Sequence, residues 1–343
     1  MTDHGGSLER ARARFPNAPQ PWIDLSTGIN PHAYPQLAPS KEAFTRLPEP
    51  RLVAELCAVA AGNYGAPSGA HVAAAPGTQI LLPMVARLVA PGRALVLGPT
   101  YAEHIRAVAI AVHKGSYVSN FNALFDADLA IVVNPNNPDG RIIEREKLLE
   151  LATHLRRKGG LLVVDEAFMD VGPITESVAA DVEDAGAVVL KSFGKFFGLA
   201  GIRLGFALAA GEVAQRLRDE LGPWAVSGPA LEQGLTGLSD AAWQEAMRAR
   251  LRSEATVLDN LLRAAGLSVV GGTSLFRFVR TDHAEMAFNV LGQAGILVRR
   301  FDALPDALRF GLPGEDTEWA RLEAALGSFA NAVKRDRLVS AAE

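Results

Sequence analysis

The sequence predicts an α/β fold, with a mostly parallel sheet covered by helices on both faces and a smaller C-terminal α+β domain. Short apolar runs alternate with helical patterns from His71 onward, and most of these runs are continuously apolar, as in strands buried on both faces. The pattern changes after Trp224. Because 343 residues exceed what one core usually supports, two domains are expected.

Candidate strands of the first domain share a short, apolar character. They lie at 72–75, 94–97, 129–133, 161–164, 187–190 and 204–208. Polar or Gly- and Pro-rich segments follow several of them. Ligand sites in open α/β sheets lie beyond the carboxyl ends of the strands, so these segments are where a site is expected.

The C-terminal part begins with an amphipathic helix at 241–265. Strand-like runs at 267–270, 275–279, 296–298 and 308–311 and a last helix at 315–332 indicate an α+β domain. Residues 1–40 carry six prolines and little periodicity. We therefore expect an N-terminal arm at 1–40, a large α/β domain at 41–230 and a small domain at 231–343.

Composition excludes several classes of partner. A net charge of -4 leaves no broad basic surface, so neither nucleic acid nor a membrane is an expected partner. The N-terminus lacks the layout of a signal peptide, and no apolar run approaches the ~20 residues of a membrane span, so a cytoplasmic location is expected. The single Cys57 and scattered histidines predict no metal site, and His104 is expected to be a packed side chain.

Lys195 is the first candidate for chemistry, because Ser192-Phe-Gly-Lys195 directly follows a strand candidate. A lysine whose ammonium form is disfavoured becomes an amine that can attack a carbonyl carbon. Taken alone, this motif is more often a solvated loop. Eight residues on, Arg203 begins another strand candidate, and its guanidinium with the Ser192 hydroxyl suits a phosphate.

Other strand ends carry matching side chains. Asp165 suits a protonated pyridine nitrogen, or caps a helix. Asn137 suits a ring oxygen, or belongs to a plain turn. Tyr101 suits stacking on an aromatic ring, or is a core tyrosine. Before a predicted helix stand Gly77, Thr78 and Gln79, where free N–H groups bind phosphate.

In this order the residues resemble the fold-type I pyridoxal 5′-phosphate (PLP) enzymes, near histidinol-phosphate aminotransferase. The resemblance spans nearly the whole chain and implies a seven-stranded sheet and PLP as cofactor. It implies that Lys195 bonds the cofactor, that Asp165 and Asn137 hold its ring nitrogen and oxygen, and that Tyr101 stacks on the ring. Lys195, Asp165 and Tyr101 would be catalytic, and the phosphate contacts would come from Gly77, Thr78, Gln79, Ser192 and Arg203.

Further motifs resemble the cobalamin-biosynthetic L-threonine-O-3-phosphate decarboxylases, which form (R)-1-amino-2-propanol O-2-phosphate. These motifs lie at 4–6, 24–31, 46–48, 165–168, 192–201 and 222–229. The resemblance implies a small phosphorylated amino acid as substrate and a homodimer. A corrinoid-pathway enzyme is a candidate partner. Its substrate-binding positions would be His4, Asn30, Asn137, Arg299 and Arg309, the two arginines serving the phosphate and the carboxylate.

Two positions depart from the aminotransferases, which have tyrosines where this chain has Leu47 and Phe168. Both departures agree with the decarboxylases. Two alternatives stay open: a histidinol-phosphate-type aminotransferase, and a non-catalytic PLP-fold partner protein of the corrinoid pathway. Release of carbon dioxide without 2-oxoglutarate distinguishes the decarboxylase from the aminotransferase.

Overall fold

The computed structural model describes residues 5–36 and 38–340; His4 lies outside them. The helices are α1 Leu8–Arg14, α2 Lys41–Thr45, α3 Pro50–Tyr64, α4 Thr78–Ala86, α5 Glu103–Ile110, α6 Arg145–Arg157, α7 Val182–Ala185, α8 Phe193–Phe196, α9 Gly211–Leu221, α10 Gly228–Ser239, α11 Ala241–Ala264, α12 Ala284–Gln293 and α13 Asp316–Ser340. The strands are β1 Ile23–Asp24, β2 Val72–Ala75, β3 Arg93–Leu97, β4 Lys114–Val118, β5 Leu129–Val133, β6 Leu161–Asp165, β7 Val188–Ser192, β8 Gly205–Leu208, β9 Ser268–Thr273, β10 Phe276–Arg280, β11 Ile296–Leu297, β12 Arg299–Phe301 and β13 Leu304–Gly311.

The chain forms two compact units. The sheet unit comprises Ala33–Asn137 and Arg141–Glu245, and the second unit comprises Met1–His32, Pro138–Gly140 and Ala246–Glu343. This division differs from the expected boundaries at 40 and 230. β1 pairs in parallel with β11, which groups the N-terminal segment with the C-terminal one. α10 packs against α3 and therefore stays with the sheet unit.

The sheet unit contains a seven-stranded sheet in the order β2-β8-β7-β6-β5-β3-β4. The pairs β3–β4, β3–β5, β5–β6 and β6–β7 are parallel, and β8 runs antiparallel to both β7 and β2. The predicted α/β class and mostly parallel sheet are confirmed. β5 and β6 are buried along their whole length, which explains their continuously apolar sequence.

Parallel pairing places chemically useful side chains at one edge of this sheet. β6 and β7 are neighbours with Asp165 opposite Leu190, so both strands end at the same edge. Asp165 is the last residue of β6, and Ser192 is the last residue of β7. Because α8 begins directly after Ser192, Lys195 is carried to that edge too.

The second unit is built on a four-stranded antiparallel sheet in the order β12-β13-β10-β9. β13 is paired on both sides, by β10 and by β12. The small parallel pair of β1 and β11 completes its strands among the described residues. Over residues 5–36 and 38–340, the structure has no helix whose length and apolar character suit a bilayer crossing.

Candidate active site

Lys195 lies in α8, a single helical turn anchored by aromatic side chains. Phe193 and Phe196, on either side of it, are fully buried, and Phe193 stacks on Phe197 with ring centroids 4.2 Å apart. Lys195 itself is half-buried, and its Nζ lies 5.7 Å from the ring centroid of Phe168. The aromatic packing fixes the backbone of α8, so the lysine amine is presented from a rigid element.

Asp165 is a buried carboxylate with a defined orientation, 6% exposed at the end of β6. Its Oδ2 lies 2.9 Å from His104 Nε2, and its Oδ1 accepts a hydrogen bond from the Ala167 N–H at 3.0 Å. His104 is 1% exposed and makes an edge contact with the Tyr101 ring at 5.9 Å. His104 therefore links two predicted site residues.

This role of His104 goes beyond the packed side chain expected from the sequence. His104 is indeed buried, but its ring nitrogen is engaged by Asp165, 61 positions away in the chain. The spacing of three residues from Tyr101 is the one signal that pointed to it, since residues i and i+3 of a helical turn share a face. The partner on β6 is set by the tertiary fold.

A cradle for an anion is formed by the start of α4, Arg203 and β8. Gly77 has φ 83°, and a Cβ built on it would lie 2.6 Å from Arg203 Nη2, so the guanidinium rests against the glycine. A Cβ on Gly205 would lie 2.7 Å from the Thr78 N atom, and Gly205 pairs across the sheet with Ser192. Both glycines are required because backbone and guanidinium approach closely.

The chemistry of this cradle suits a phosphate monoester. The first N–H groups of α4 have no acceptor within the helix, and helix N-termini favour anions. Arg203 adds a cationic fork, and it is itself held in a left-handed conformation (φ 56°) while its Nη1 donates to the Ala200 carbonyl at 3.2 Å. The donors present therefore fit the phosphate of PLP.

Gln79 has a more specific role than the predicted phosphate contact. Its Oε1 accepts a hydrogen bond from the Tyr101 hydroxyl at 3.2 Å, and its Nε2 donates to Glu103 Oε2 at 2.8 Å. The side-chain amide is thus engaged at both ends. A contribution of Gln79 to phosphate binding then comes from its backbone N–H in the first turn of α4.

The loop that carries Asn137 is tied to the loop that carries Tyr101. Asn136, 1% exposed, accepts a hydrogen bond from the Thr100 hydroxyl at 2.7 Å and donates to the Pro99 carbonyl at 3.0 Å. Asn137 follows it directly and is half-buried. The structure shows Asn136 as a scaffold residue that the turn-like sequence did not distinguish from its neighbours.

The second unit contains a buried arginine beside a like charge. Arg309 on β13 is opposite Arg299 on β12, and the Arg309 Nη2 donates to the Ser26 carbonyl at 2.8 Å. Burial, and next the charge of Arg299, lower the pKa of Arg309 to about 9, although Asp24 acts in the opposite direction. Like charges directly opposite each other in a sheet are destabilising, so this pair favours an anionic ligand.

Asn30 lies in the same unit and is buried. Its Oδ1 accepts a hydrogen bond from the His32 N–H at 2.9 Å. His32 Nε2 lies 2.8 Å from the Glu254 carboxylate, and this contact anchors the segment to α11. The bond to His32 thus orients the Asn30 side chain.

The two departures from the aminotransferases differ in environment. Phe168 is buried close to Lys195, whereas Leu47 is exposed. Neither side chain can donate a hydrogen bond. Among residues 5–36 and 38–340, no group of three or more His, Cys, Asp or Glu side chains could hold a metal ion.

The chain is similar in sequence to proteins of known family. The family model for aminotransferase class I and II matches residues 21–326. Threonine-phosphate decarboxylase of Pseudomonas aeruginosa is 41% identical over 332 residues, 96% of this chain and 98% of that protein. Threonine-phosphate decarboxylase of a Sinorhizobium species is 41% identical over 329 residues, 94% of this chain and 97% of that protein.

A solved structure shows the same fold. The histidinol-phosphate aminotransferase of Sinorhizobium meliloti, solved in complex with pyridoxal 5′-phosphate, superimposes with a TM-score of 0.80. The match covers 96% of this chain and 95% of that protein, at 20% sequence identity. At that identity the likeness establishes the fold alone.

The contact between His104 and Asp165 can be tested with His104→Phe, which keeps an aromatic ring for Tyr101 but removes the hydrogen bond. A hydrogen bond to a charged group contributes about 1.5 kcal/mol, so the dissociation constant for PLP is expected to rise about tenfold. Titration of the apoprotein, followed by the visible absorption of bound PLP, measures it. The control is His154→Phe at an exposed position; equal affinities in both variants would contradict the role of His104.

Proposed function

The chain belongs to the aminotransferase class I and II family, and from this premise we propose that it is a PLP-dependent carboxy-lyase. Its substrate is L-threonine O-3-phosphate, and its product is (R)-1-amino-2-propanol O-2-phosphate. The observation that carries this proposal is the identity of 41% to two threonine-phosphate decarboxylases over nearly the full length of each protein.

The residues of the sheet unit suit each part of PLP. We assign the aldehyde to the Lys195 amine, the ring nitrogen to Asp165, the ring oxygen to Asn137 and the ring face to Tyr101. The phosphate is assigned to the cradle of Gly77, Thr78, Gln79, Ser192 and Arg203. Bound PLP supplies a cationic conjugated ring that accepts the electron pair left when a bond at the substrate Cα breaks.

Asp165 and Lys195 have separate tasks in the proposed reaction. The Asp165 carboxylate, oriented by His104 and by the Ala167 N–H, stabilises positive charge at the ring nitrogen. The Lys195 amine would hold the cofactor aldehyde, and Lys195 or a water would return a proton to the Cα atom after carbon dioxide has left. Its rigid support on α8 keeps that amine in reach of the reacting carbon.

Arg309 and Arg299 are proposed to bind the two anionic groups of the substrate, the carboxylate and the phosphate. A bound anion stabilises the charged form of a buried guanidinium whose pKa is lowered. A second cation at the paired position of the neighbouring strand suits a ligand with two anionic groups. Asn30, Asn137 and His4 are assigned to the same substrate. These residues would orient the substrate Cα, and the choice between decarboxylation and transamination would follow from that orientation.

The alternative that the protein is an aminotransferase has less support. Phe168, next to Lys195, offers no hydroxyl to the cofactor ring oxygen, and the histidinol-phosphate aminotransferase structure matches at the level of fold. The retained set of Lys195, Asp165, Asn137 and Arg203 disfavours a non-catalytic partner protein. Measurement of the reaction products distinguishes the three hypotheses.

The setting of the reaction is also a proposal. We place it in cobalamin biosynthesis, in the cytoplasm, with the enzyme that attaches the aminopropanol to the corrinoid as a partner. A homodimer is supported by large apolar side chains exposed on the sheet unit, namely Phe44, Leu47 and Trp224. The sheet unit is the proposed cofactor domain.

The reaction is tested by incubating the PLP-loaded protein with threonine phosphate. The expected result is one carbon dioxide for each amine product formed, with no requirement for 2-oxoglutarate. Lys195→Ala is expected to lower turnover by at least about 10⁴-fold, since it removes the covalent and proton-transfer group together. Formation of glutamate-dependent products from histidinol phosphate, or a PLP-bound protein without turnover, would support the respective alternatives instead.

The role of Arg309 is tested with Arg309→Gln. Loss of charge-assisted hydrogen bonds is expected to raise KM for threonine phosphate about 10- to 100-fold. PLP affinity, measured by titration, is expected to stay within about twofold of the unaltered protein. Arg300→Gln is the matched control, since its guanidinium pairs with Glu285. An unchanged KM in Arg309→Gln would exclude this arginine from substrate binding.

A further inference from the structure

The first turn of α5 holds a buried carboxylate that the reaction above does not use. Glu103 is 6% exposed, and its Oε2 accepts hydrogen bonds from Gln79 Nε2 and from Arg106 Nη1, each at 2.8 Å. The Arg106 side chain is 66% exposed, so the charge of Glu103 is balanced from the solvent side. A carboxylate is buried at such a position only if its hydrogen bonds offset the lost hydration.

The contact with Glu103 determines which way the Gln79 amide faces. An ionised carboxylate accepts hydrogen bonds and cannot donate them, so the amide NH₂ group must face Glu103. The carbonyl end, Oε1, then faces the Tyr101 hydroxyl, which donates to it at 3.2 Å. Without the carboxylate, the amide has two orientations of similar energy, and one of them presents an NH₂ group to the phenol.

The Tyr101 ring is therefore held at two points. Its hydroxyl is fixed through Gln79 and Glu103, and its ring makes a T-shaped contact with the His104 ring, with centroids 5.9 Å apart. Glu103 and His104 are adjacent in the first turn of α5, and His104 also contacts Asp165. A tyrosine side chain has two rotatable bonds, so restraints on its tip and its ring define the ring plane.

We propose that Glu103 is a positioning residue that acts through Gln79 to fix the Tyr101 ring as a stacking surface for PLP. This inference rests on the cofactor assignment of the proposed function. It predicts that Glu103 affects the affinity and orientation of the cofactor and that its effect passes through the Tyr101 hydroxyl. A merely structural carboxylate would instead act on folding stability whether or not that hydroxyl is present.

The test is a double-mutant cycle with Glu103→Gln and Tyr101→Phe in the full chain. Both changes preserve side-chain shape. The first readout is the PLP dissociation constant, and the second is the circular dichroism of bound PLP in the visible range, per cofactor bound. Glu103→Gln is expected to weaken PLP binding about fivefold and to reduce the dichroic band, as loss of one oriented hydrogen bond would.

The decisive comparison is Glu103→Gln in the Tyr101→Phe background. In that background, loss of the carboxylate is expected to change the PLP dissociation constant by no more than about twofold, because the hydroxyl on which the carboxylate acts is gone. The proposal would be overturned if the two changes weakened PLP binding independently, so that their fold-changes multiplied. An unchanged PLP affinity in Glu103→Gln would overturn it too. The control Glu146→Gln removes an exposed carboxylate from the first turn of α6 and is expected to change neither readout.

A second variant covers the case in which Glu103→Gln does not fold. Gln79→Met interrupts the same path one residue closer to Tyr101 and must show the same lack of additivity with Tyr101→Phe. Both readouts need bound PLP but no turnover. If the protein binds PLP yet leaves threonine phosphate intact, the proposed substrate is wrong, and the double-mutant cycle still tests the role of Glu103. If the unaltered protein does not bind PLP, both the proposed function and the role of Glu103 are overturned.

Discussion

The parallel pairing of β6 and β7 is the constraint on which the site depends. It sets the ends of both strands at one sheet edge, so that Asp165 and α8 emerge together. A buried ion pair reinforces it: Lys191 Nζ lies 2.6 Å from Glu166 Oε2, and both residues adjoin the strand ends. Separation of the two partners would leave an uncompensated buried charge. A change in register between the strands is therefore disfavoured. The distance between the groups proposed to bind the cofactor is thereby set by the backbone.

Much of this arrangement could be predicted from the sequence, because burial on both faces gives strands a continuous apolar run. The sequence predicts β5 and β6 within one residue for that reason. It does not predict β4, since Lys114–Val118 forms an edge strand that is largely exposed. The pairing of β1 with β11 joins segments far apart in the chain, and sequence spacing does not encode that contact.

The finer geometry of the site depends on contacts that sequence spacing does not encode. The bonds of His104 to Asp165 and of Gln79 to Glu103 join different elements, and local patterns for these residues favour ordinary packing. The opposition of Arg299 and Arg309 depends on the register of β12, which shifts between Arg300 and Phe301. In each case the residue type was visible in the sequence, and the fold supplied its partner.

The most direct test of the account is to identify the lysine that bonds PLP. Reduction of the PLP-loaded protein with sodium borohydride makes the bond between cofactor and amine permanent, and mass spectrometry of the peptides locates it. The account predicts the pyridoxyl group on Lys195, because Lys191, four residues earlier, is occupied by its ion pair with Glu166. A label on Lys191 or on another lysine, or no label at all, would contradict it.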